Sequence, residues 1–423
     1  MPGNVLSVLA RISPANRRRD QGPNYPSTQI PKASPVWVFG YFGVWVFLSL
    51  LRPAQSVFAT ETNSSSVAPK FLGAQSCSTS GCHGGAGELS KQVTVWQQYD
   101  FHYQRPVATL TTARSERLAN ILKIADPTQD ARCTACHAPF QTVPAARLGK
   151  EAKISEGVSC ESCHGPAENW LLSHTRKDYS HADRVHAGMR DLKNPYVRAN
   201  TCVACHQNVD SDLVRAGHPE LIFELDGQAV TQPKHWRKEL GKPGPQLWLV
   251  GQLVALREMS WQLATEKHPH SETTNRWAAL LWLLRQAQWA NGDEFKFALE
   301  SLAIEEAGFA AAQRWADQLA RAAAESEWTE VRTRQTLAGL AGTASDFEAG
   351  KAPQLLQARR AERLVLALDR LTQALPATKN QAVSEALNRL FAGAQSLPDF
   401  DPNQFAKDLK EFHTRVASAL ESK

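Results

Sequence analysis

The eight cysteines of this chain form four pairs, and each pair is followed at once by a histidine. Three pairs read Cys-x-x-Cys-His, and the earliest has four residues between its cysteines. In chain order the four motifs are Cys77, Cys82 and His83; Cys133, Cys136 and His137; Cys160, Cys163 and His164; and Cys202, Cys205 and His206. The chain has 13 histidines in 423 residues, so four at this position by chance is on the order of one in a million.

Cys-x-x-Cys-His is the attachment signature of a c-type haem. The two thiols become thioethers to the haem vinyl groups, and the adjacent imidazole becomes an axial ligand of the iron. Structural zinc would use two such pairs for one ion and leave the histidines without a role. A disulfide between Cys77 and Cys82 is an alternative for the stretched motif alone. The sequence therefore predicts four covalently attached haem c groups.

The N-terminus has the layout of an export signal. A basic stretch with five Lys or Arg is followed by an uncharged apolar run of 16 residues at 36–51. This run is short for a bilayer span and typical of a signal-peptide core. Small residues at Val57 and Ala59 predict cleavage after Ala59 and a periplasmic or otherwise exported protein. An uncleaved membrane anchor is the alternative, and membrane contact is expected only in that case.

The net charge bears on whether nucleic acid is a partner. Residues 1–59 hold six Lys or Arg and one Asp, which is the whole formal excess of +5. The mature chain is therefore formally neutral, and nothing in its charge favours nucleic-acid binding.

The mature chain divides into two regions of different composition. Residues 60–244 contain every cysteine and are rich in Pro, Gly and Ala, which predicts short helices and loops around the haems. Residues 245–423 show helical periodicity, which predicts an all-helical bundle of unknown role. The expected helices are 246–264, 276–290, 303–324, 327–341, 352–374, 380–395 and 402–421. The fold class is therefore mainly α: a multihaem cytochrome c domain followed by a helical bundle.

A second axial ligand is needed where an iron carries electrons without binding substrate. Six histidines outside the motifs lie in the haem region, which is more than four irons can use. The stronger candidates are His102, His174, His218 and His235. His181 and His186 lie in a charged stretch and are expected to face solvent.

The four motifs in this order, with GVSCESCHGPAE at the third, resemble the tetrahaem cytochrome c-554 family over about residues 70–240. The best-known members of that family accept electrons from hydroxylamine oxidoreductase. The resemblance implies closely stacked haems, three with two histidine ligands and the second with one. It assigns His102 to the fourth haem, His174 to the first, and His218 or His235 to the third. The iron at His137 would then be open, unless both His218 and His235 are ligands.

Two function classes follow from these observations. The first is a carrier that transfers electrons through four haems between redox partners, such as a hydroxylamine-oxidoreductase-like enzyme or a quinone-linked cytochrome. The second is an oxidoreductase acting on a small nitrogen or sulfur compound at an open second haem. No catalytic residues outside the haem sites are predicted.

Overall fold

The computed structural model describes residues 68–88, 90–236, 243–268, 270–287, 306–348, 350–395 and 399–421. The predicted leader and its cleavage site lie outside these residues. The described chain is mainly helical and has no strand beyond two isolated bridges, Phe71 with Leu148 and Tyr103 with Gly157. Among the described residues, no helix has both the length and the apolarity that a membrane span requires.

The cysteine-containing region consists of short helices and irregular loops, as its composition predicts. The described helices of this region are α1 Gln92–Tyr99, α2 Arg105–Thr109, α3 Ala113–Leu122, α4 Ala131–His137, α5 Cys160–His164, α6 His181–His186, α7 Pro195–His206, α8 Ser211–Arg215 and α9 Leu225–Thr231. Several begin at a side chain that accepts the free amide hydrogens of the first turn. Asp130 caps α4 and Asn194 caps α7 in this way.

The region after residue 244 forms long helices close to the predicted bounds. Its described helices are α10 Gly244–Thr265, α11 Ser271–Gln286, α12 Glu306–Glu325, α13 Glu330–Ala341, α14 Gln354–Ala374, α15 Gln381–Ala394 and α16 Pro402–Glu421. The prediction of an apolar, buried helix at 246–264 is confirmed, because Trp248, Leu253 and Leu256 on α10 have no solvent exposure. A helix that is apolar on all sides must be surrounded by other elements.

The largest hydrophobic core crosses the composition boundary at residue 244. Ala199 and Val203 on α7 belong to the same buried cluster as Trp248 and Leu253 on α10. A polar contact also joins α7 to α12 of the bundle: the Tyr196 hydroxyl donates to Asp317 Oδ1 at 2.6 Å. The helix that carries the fourth motif therefore packs directly on the bundle. The described residues group into one compact unit, and the domain division at 244 stays a prediction.

A second, smaller core lies among the first and third motifs. Ala74, Val93 and Trp96 are buried together, with Tyr103 and Cys160 packed against them. The Trp96 indole donates to the Val158 carbonyl at 3.2 Å. This small cluster joins the chain before Cys77 to the chain before Cys160.

Candidate haem sites

The three regular motifs lie in helices that end at or near the motif histidine. Helices α4, α5 and α7 end at His137, His164 and His206. Cysteines three residues apart lie on the same helical face. The histidine follows at the end of the last turn, so each motif presents two thiols and one imidazole at one place.

The stretched first motif reaches a similar arrangement by a closed loop. Cys77 ends a short 3-10 helix, Ala74–Cys77. The His83 amide donates to the Cys77 carbonyl at 3.1 Å, and the Cys82 amide donates to the Thr79 carbonyl at 2.9 Å. The extra residues therefore bulge out while the ends of the loop stay together. All eight cysteines are free thiols, so the alternative Cys77–Cys82 disulfide is not formed.

The structure brings one further histidine to each motif histidine. The distances between ring centroids are 6.1 Å for His83 and His174, 6.5 Å for His137 and His218, 6.4 Å for His164 and His235, and 6.0 Å for His206 and His102. All four stronger candidates for distal ligands are therefore found opposite a motif histidine. We number these four pairs site 1 to site 4, following the order of the motifs along the chain.

These distances fit an iron held between two imidazoles. A ring nitrogen binds a transition metal at about 2.0 Å, and the centre of a five-membered ring with bonds of about 1.35 Å lies about 1.15 Å from each ring atom. Two rings on opposite sides of one metal would therefore have centroids about 6.3 Å apart. The four separations fall on both sides of this value. The residues present thus fit a haem with two histidine ligands at each site.

The comparison with protein families agrees with the motifs. A family model described as cytochrome c554 and c-prime matches residues 76–165, which contain the first three motifs and His102. This segment is similar to the cytochrome c554 family. No curated protein and no solved structure matches the chain. This similarity supports a c-type cytochrome with covalently bound haem c, of the kind that transfers electrons.

The cytochrome c554 resemblance and the structure differ at site 2. The resemblance implied an open iron at His137, but His218 lies opposite this ring. The loop before His218 turns at Gly217, whose φ of +107° favours glycine. Arg114 on α3 donates to the Gly217 carbonyl at 2.8 Å and holds the loop beside the second motif. His235 lies opposite His164, which resolves the choice for site 3.

Hydrogen bonds fix the orientation of six of the eight site histidines. In each case Nδ1 is the atom engaged, which leaves Nε2 for a metal. The Nδ1 partners are Gln92 Oε1 for His83 at 2.9 Å, Asp100 Oδ1 for His102 at 2.8 Å, the Pro106 carbonyl for His137 at 3.0 Å, the Trp170 carbonyl for His174 at 3.2 Å, the Pro219 carbonyl for His218 at 2.8 Å and the Pro233 carbonyl for His235 at 3.0 Å. Such partners raise the basicity of a metal-bound imidazole.

Burial favours the neutral imidazole that a metal requires. Burial lowers the pKa of His164 and His206 to about 4, with smaller contributions from other charges. Both rings are therefore neutral at pH 7, and a neutral imidazole nitrogen can donate its lone pair to iron.

Asp100 is a site residue that the sequence reasoning missed. This buried carboxylate accepts from both the amide and Nδ1 of His102. Burial alone would raise the pKa of Asp100, but the hydrogen bonds from His102 hold it below its ordinary value. An ionised carboxylate on a ligand imidazole donates electron density to the metal, so site 4 differs from the other sites. The sequence signal was an Asp two residues before a candidate ligand.

His181 and His186 are not placed like ligands. His181 is half-buried, and its Nε2 contacts Asp191 Oδ1 at 2.9 Å, so the nitrogen that would bind iron is already engaged. His186 is exposed, as expected. In the described part of the chain, no group of three or more His, Cys, Asp or Glu side chains is arranged to hold a metal ion.

Neighbouring cysteines show which sites adjoin. Burial, Glu161 and Cys82 raise the pKa of Cys77 to about 11. The charge of Cys77 in turn helps to raise the pKa of Cys160. Cys163 has its pKa raised to about 12, by burial and then by Cys202. Interaction with Cys136 raises the pKa of Cys205, whose Sγ lies 4.0 Å from the neighbouring Ala135 carbonyl. Site 1 therefore adjoins site 3, site 3 adjoins site 4, and site 4 adjoins site 2.

Glu161, inside the third motif, joins sites 1 and 3 through the backbone. Its side chain is fully buried. The carboxylate accepts from the amides of Leu72 at 2.9 Å, Gly73 at 2.6 Å and Ala167 at 2.7 Å. Hydrogen bonds to a charged acceptor are the stronger kind. The segment that leads into the first motif is thereby fixed against the third.

Proposed function

We propose that the protein is a periplasmic carrier that transfers electrons through four covalently bound haems between redox partners. The observation that carries the proposal is the set of four histidine pairs, each with the separation that one iron needs. Bound haem supplies one-electron exchange between ferric and ferrous iron. An iron with two protein ligands at every site suits exchange without substrate chemistry.

The contributions of the chain itself are positioning and exclusion of other ligands. The cysteine pairs attach each haem, and the hydrogen bonds on Nδ1 hold the ligand rings in one orientation. The adjacency of the attachment cysteines gives a spatial order of sites 1, 3, 4 and 2. A continuous series of neighbouring sites is the arrangement a multihaem carrier requires.

The enzyme alternative depended on an open iron at site 2. His218 occupies the position from which a small nitrogen or sulfur compound would have to bind. We therefore favour the carrier, with partners such as a hydroxylamine-oxidoreductase-like enzyme or a quinone-linked cytochrome. The export signal in residues 1–59 supports a periplasmic location.

A reductive titration of the purified mature protein tests the proposal. Four one-electron equivalents per chain should be taken up, and the reduced protein should bind no carbon monoxide on the time scale of mixing. Uptake of fewer than four electrons, or stoichiometric binding of carbon monoxide, would contradict it. N-terminal sequencing of the exported protein checks cleavage after Ala59.

A further inference from the structure

Arg198 is a buried arginine at the junction of sites 3 and 4. It lies on α7, one helical turn before Cys202 of the fourth motif, and is 8% exposed. Its guanidinium carbon lies 5.4 Å from the centroid of the Trp236 ring, and Trp236 follows the site 3 ligand His235. The charge of Cys163, in the third motif, also raises the pKa of Arg198.

The described chain gives Arg198 no carboxylate. No ion pair among the described residues includes Arg198, and its Nη1 is buried without an acceptor. Burial lowers its pKa, and only the charges of Cys202 and Cys163 oppose this. Those two thiols become uncharged thioethers once haem is attached, because the sulfurs are then bonded to carbon. In the haem-loaded protein nothing in the described chain neutralises this guanidinium.

Arg276, which is as buried as Arg198, lies 3.4 Å from a carboxylate oxygen of Glu220. The half-buried Arg257 and Arg359 contact Asp317 at 2.7 Å and Glu272 at 3.0 Å. A buried charge is normally retained only where it is paired or hydrogen-bonded. Among the described residues no anion pairs with Arg198, which favours a partner that is not part of the described chain.

A second buried donor without an acceptor lies beside Arg198. The indole Nε1 of Trp236 is buried and makes no hydrogen bond. Two neighbouring donors, one of them charged, fit an anion that carries two oxygen acceptors. Each haem has two propionate side chains, and a carboxylate matches the geometry of a guanidinium.

We propose that Arg198, with Trp236 Nε1, binds a propionate of the haem at site 3 or site 4. This inference rests on the proposed four-haem function. Arg198 is then a positioning residue that neutralises one propionate in a place where water is scarce. Without it the carboxylate would stand unpaired near an iron and favour the ferric state. The reduction potential of one haem should therefore fall.

The test compares R198Q, R198K and R332Q in the exported, haem-loaded protein. Arg332 is a matched control, because it is 5% exposed and packs over Trp328 at 4.4 Å but lies on α13 in the bundle. In R198Q one midpoint potential should fall by at least about 59 mV, a tenfold change in its reduction equilibrium. R198K should keep it closer to the wild-type value, and R332Q should leave all four unchanged.

Redox-difference infrared spectra with ¹³C-carboxyl haem provide a direct readout. The labelled propionate bands should shift in R198Q and not in R332Q. Unchanged bands and potentials in a fully loaded R198Q would overturn the assignment. If R198Q fails to load haem, R198K decides: full loading supports a charge requirement, and equal failure overturns it. Haem counting on the wild type tests the four-haem function separately, so the two failures can be distinguished.

Discussion

The imidazole of His218 lies opposite that of His137, with 6.5 Å between the ring centroids. This relationship separates a carrier from an enzyme, since it supplies a second ligand at the one site that the family resemblance would leave open.

Replacing His218 by Ala should open one iron. The wild type should show only low-spin haems in its oxidised EPR spectrum, because every site has two imidazoles. H218A should convert one of the four to high spin and bind one carbon monoxide per chain when reduced. H181A is the control, because His181 Nε2 is engaged by Asp191. A high-spin signal already present in the wild type would contradict the His137–His218 pairing.

The stretched motif should attach a haem as the regular motifs do. Pyridine haemochrome and intact mass should give four haems per chain, and a double C77A and C82A variant should give three. The loop closure between Cys77 and His83 is the physical reason, since it keeps thiols and imidazole together. Three haems in the wild type would show that the first motif is not used.

Removal of the Glu161 charge should destabilise the fold where sites 1 and 3 meet. E161Q leaves three backbone amides facing a neutral side chain, and we expect a loss of about 3 kcal/mol in the free energy of unfolding. E168Q is the matched control: Glu168 is exposed, and its carboxylate accepts from the Lys70 amide at 2.8 Å. Its loss should stay below about 1 kcal/mol. If E161Q and E168Q lost equal free energy of unfolding in denaturant, the burial of Glu161 would not explain its contribution to stability.

Stability should fall as pH rises towards 8 because of Glu224. Burial, and then the charge of Asp226, raise the pKa of Glu224 from 4.5 to about 8, although Arg363, Arg370 and a hydrogen bond from Gln252 act in the opposite direction. Between these two pKa values the folded protein keeps a proton on Glu224 that the unfolded chain has released. The stabilisation that comes from this proton is fully present below about pH 4.5 and is lost as pH rises through about 8.

The slope expected between these values is up to about 1.4 kcal/mol per pH unit for each proton. E224Q should flatten this part of the curve of unfolding free energy against pH. E327Q, at an exposed position, serves as the control. A wild-type stability that rises with pH over this range would contradict the buried, protonated state of Glu224.

Deletion of residues 245–423 should separate haem attachment from packing. All eight cysteines remain, so intact mass should still show four haems. The deletion exposes the α7 face at Ala199 and Val203, and we expect aggregation in size-exclusion chromatography. Fewer than four haems in the shortened chain would mean that the bundle belongs to the haem fold and that the division at 244 is wrong.

The sequence was most informative where one local pattern determines the structure. The seven described helices of the bundle follow from apolar periodicity, and the bounds of α10 and α14 differ from the predicted ones by only a few residues. The distal ligands were harder to assign, because their partners are distant in sequence. His218 is brought opposite His137 by contacts between segments distant in sequence, such as the hydrogen bond from Arg114 to the Gly217 carbonyl, which no local pattern encodes.

The roles of two buried carboxylates also could not be predicted from the sequence. Glu161 reads as an ordinary charged residue between two cysteines, and its role appears only once the segment before Cys77 lies against it. Asp100 likewise depends on burial, which makes its hydrogen bonds with His102 significant.

The position of the Cys163 thiol has a consequence for biosynthesis. A thiolate is the reactive form of cysteine, and burial raises the pKa of the half-buried Cys163 to about 12 in the folded chain. At neutral pH almost none of this sulfur is in the reactive form. We therefore expect thioether formation to precede folding. The bundle would then be the last part of the chain to assemble, around a cofactor already in place.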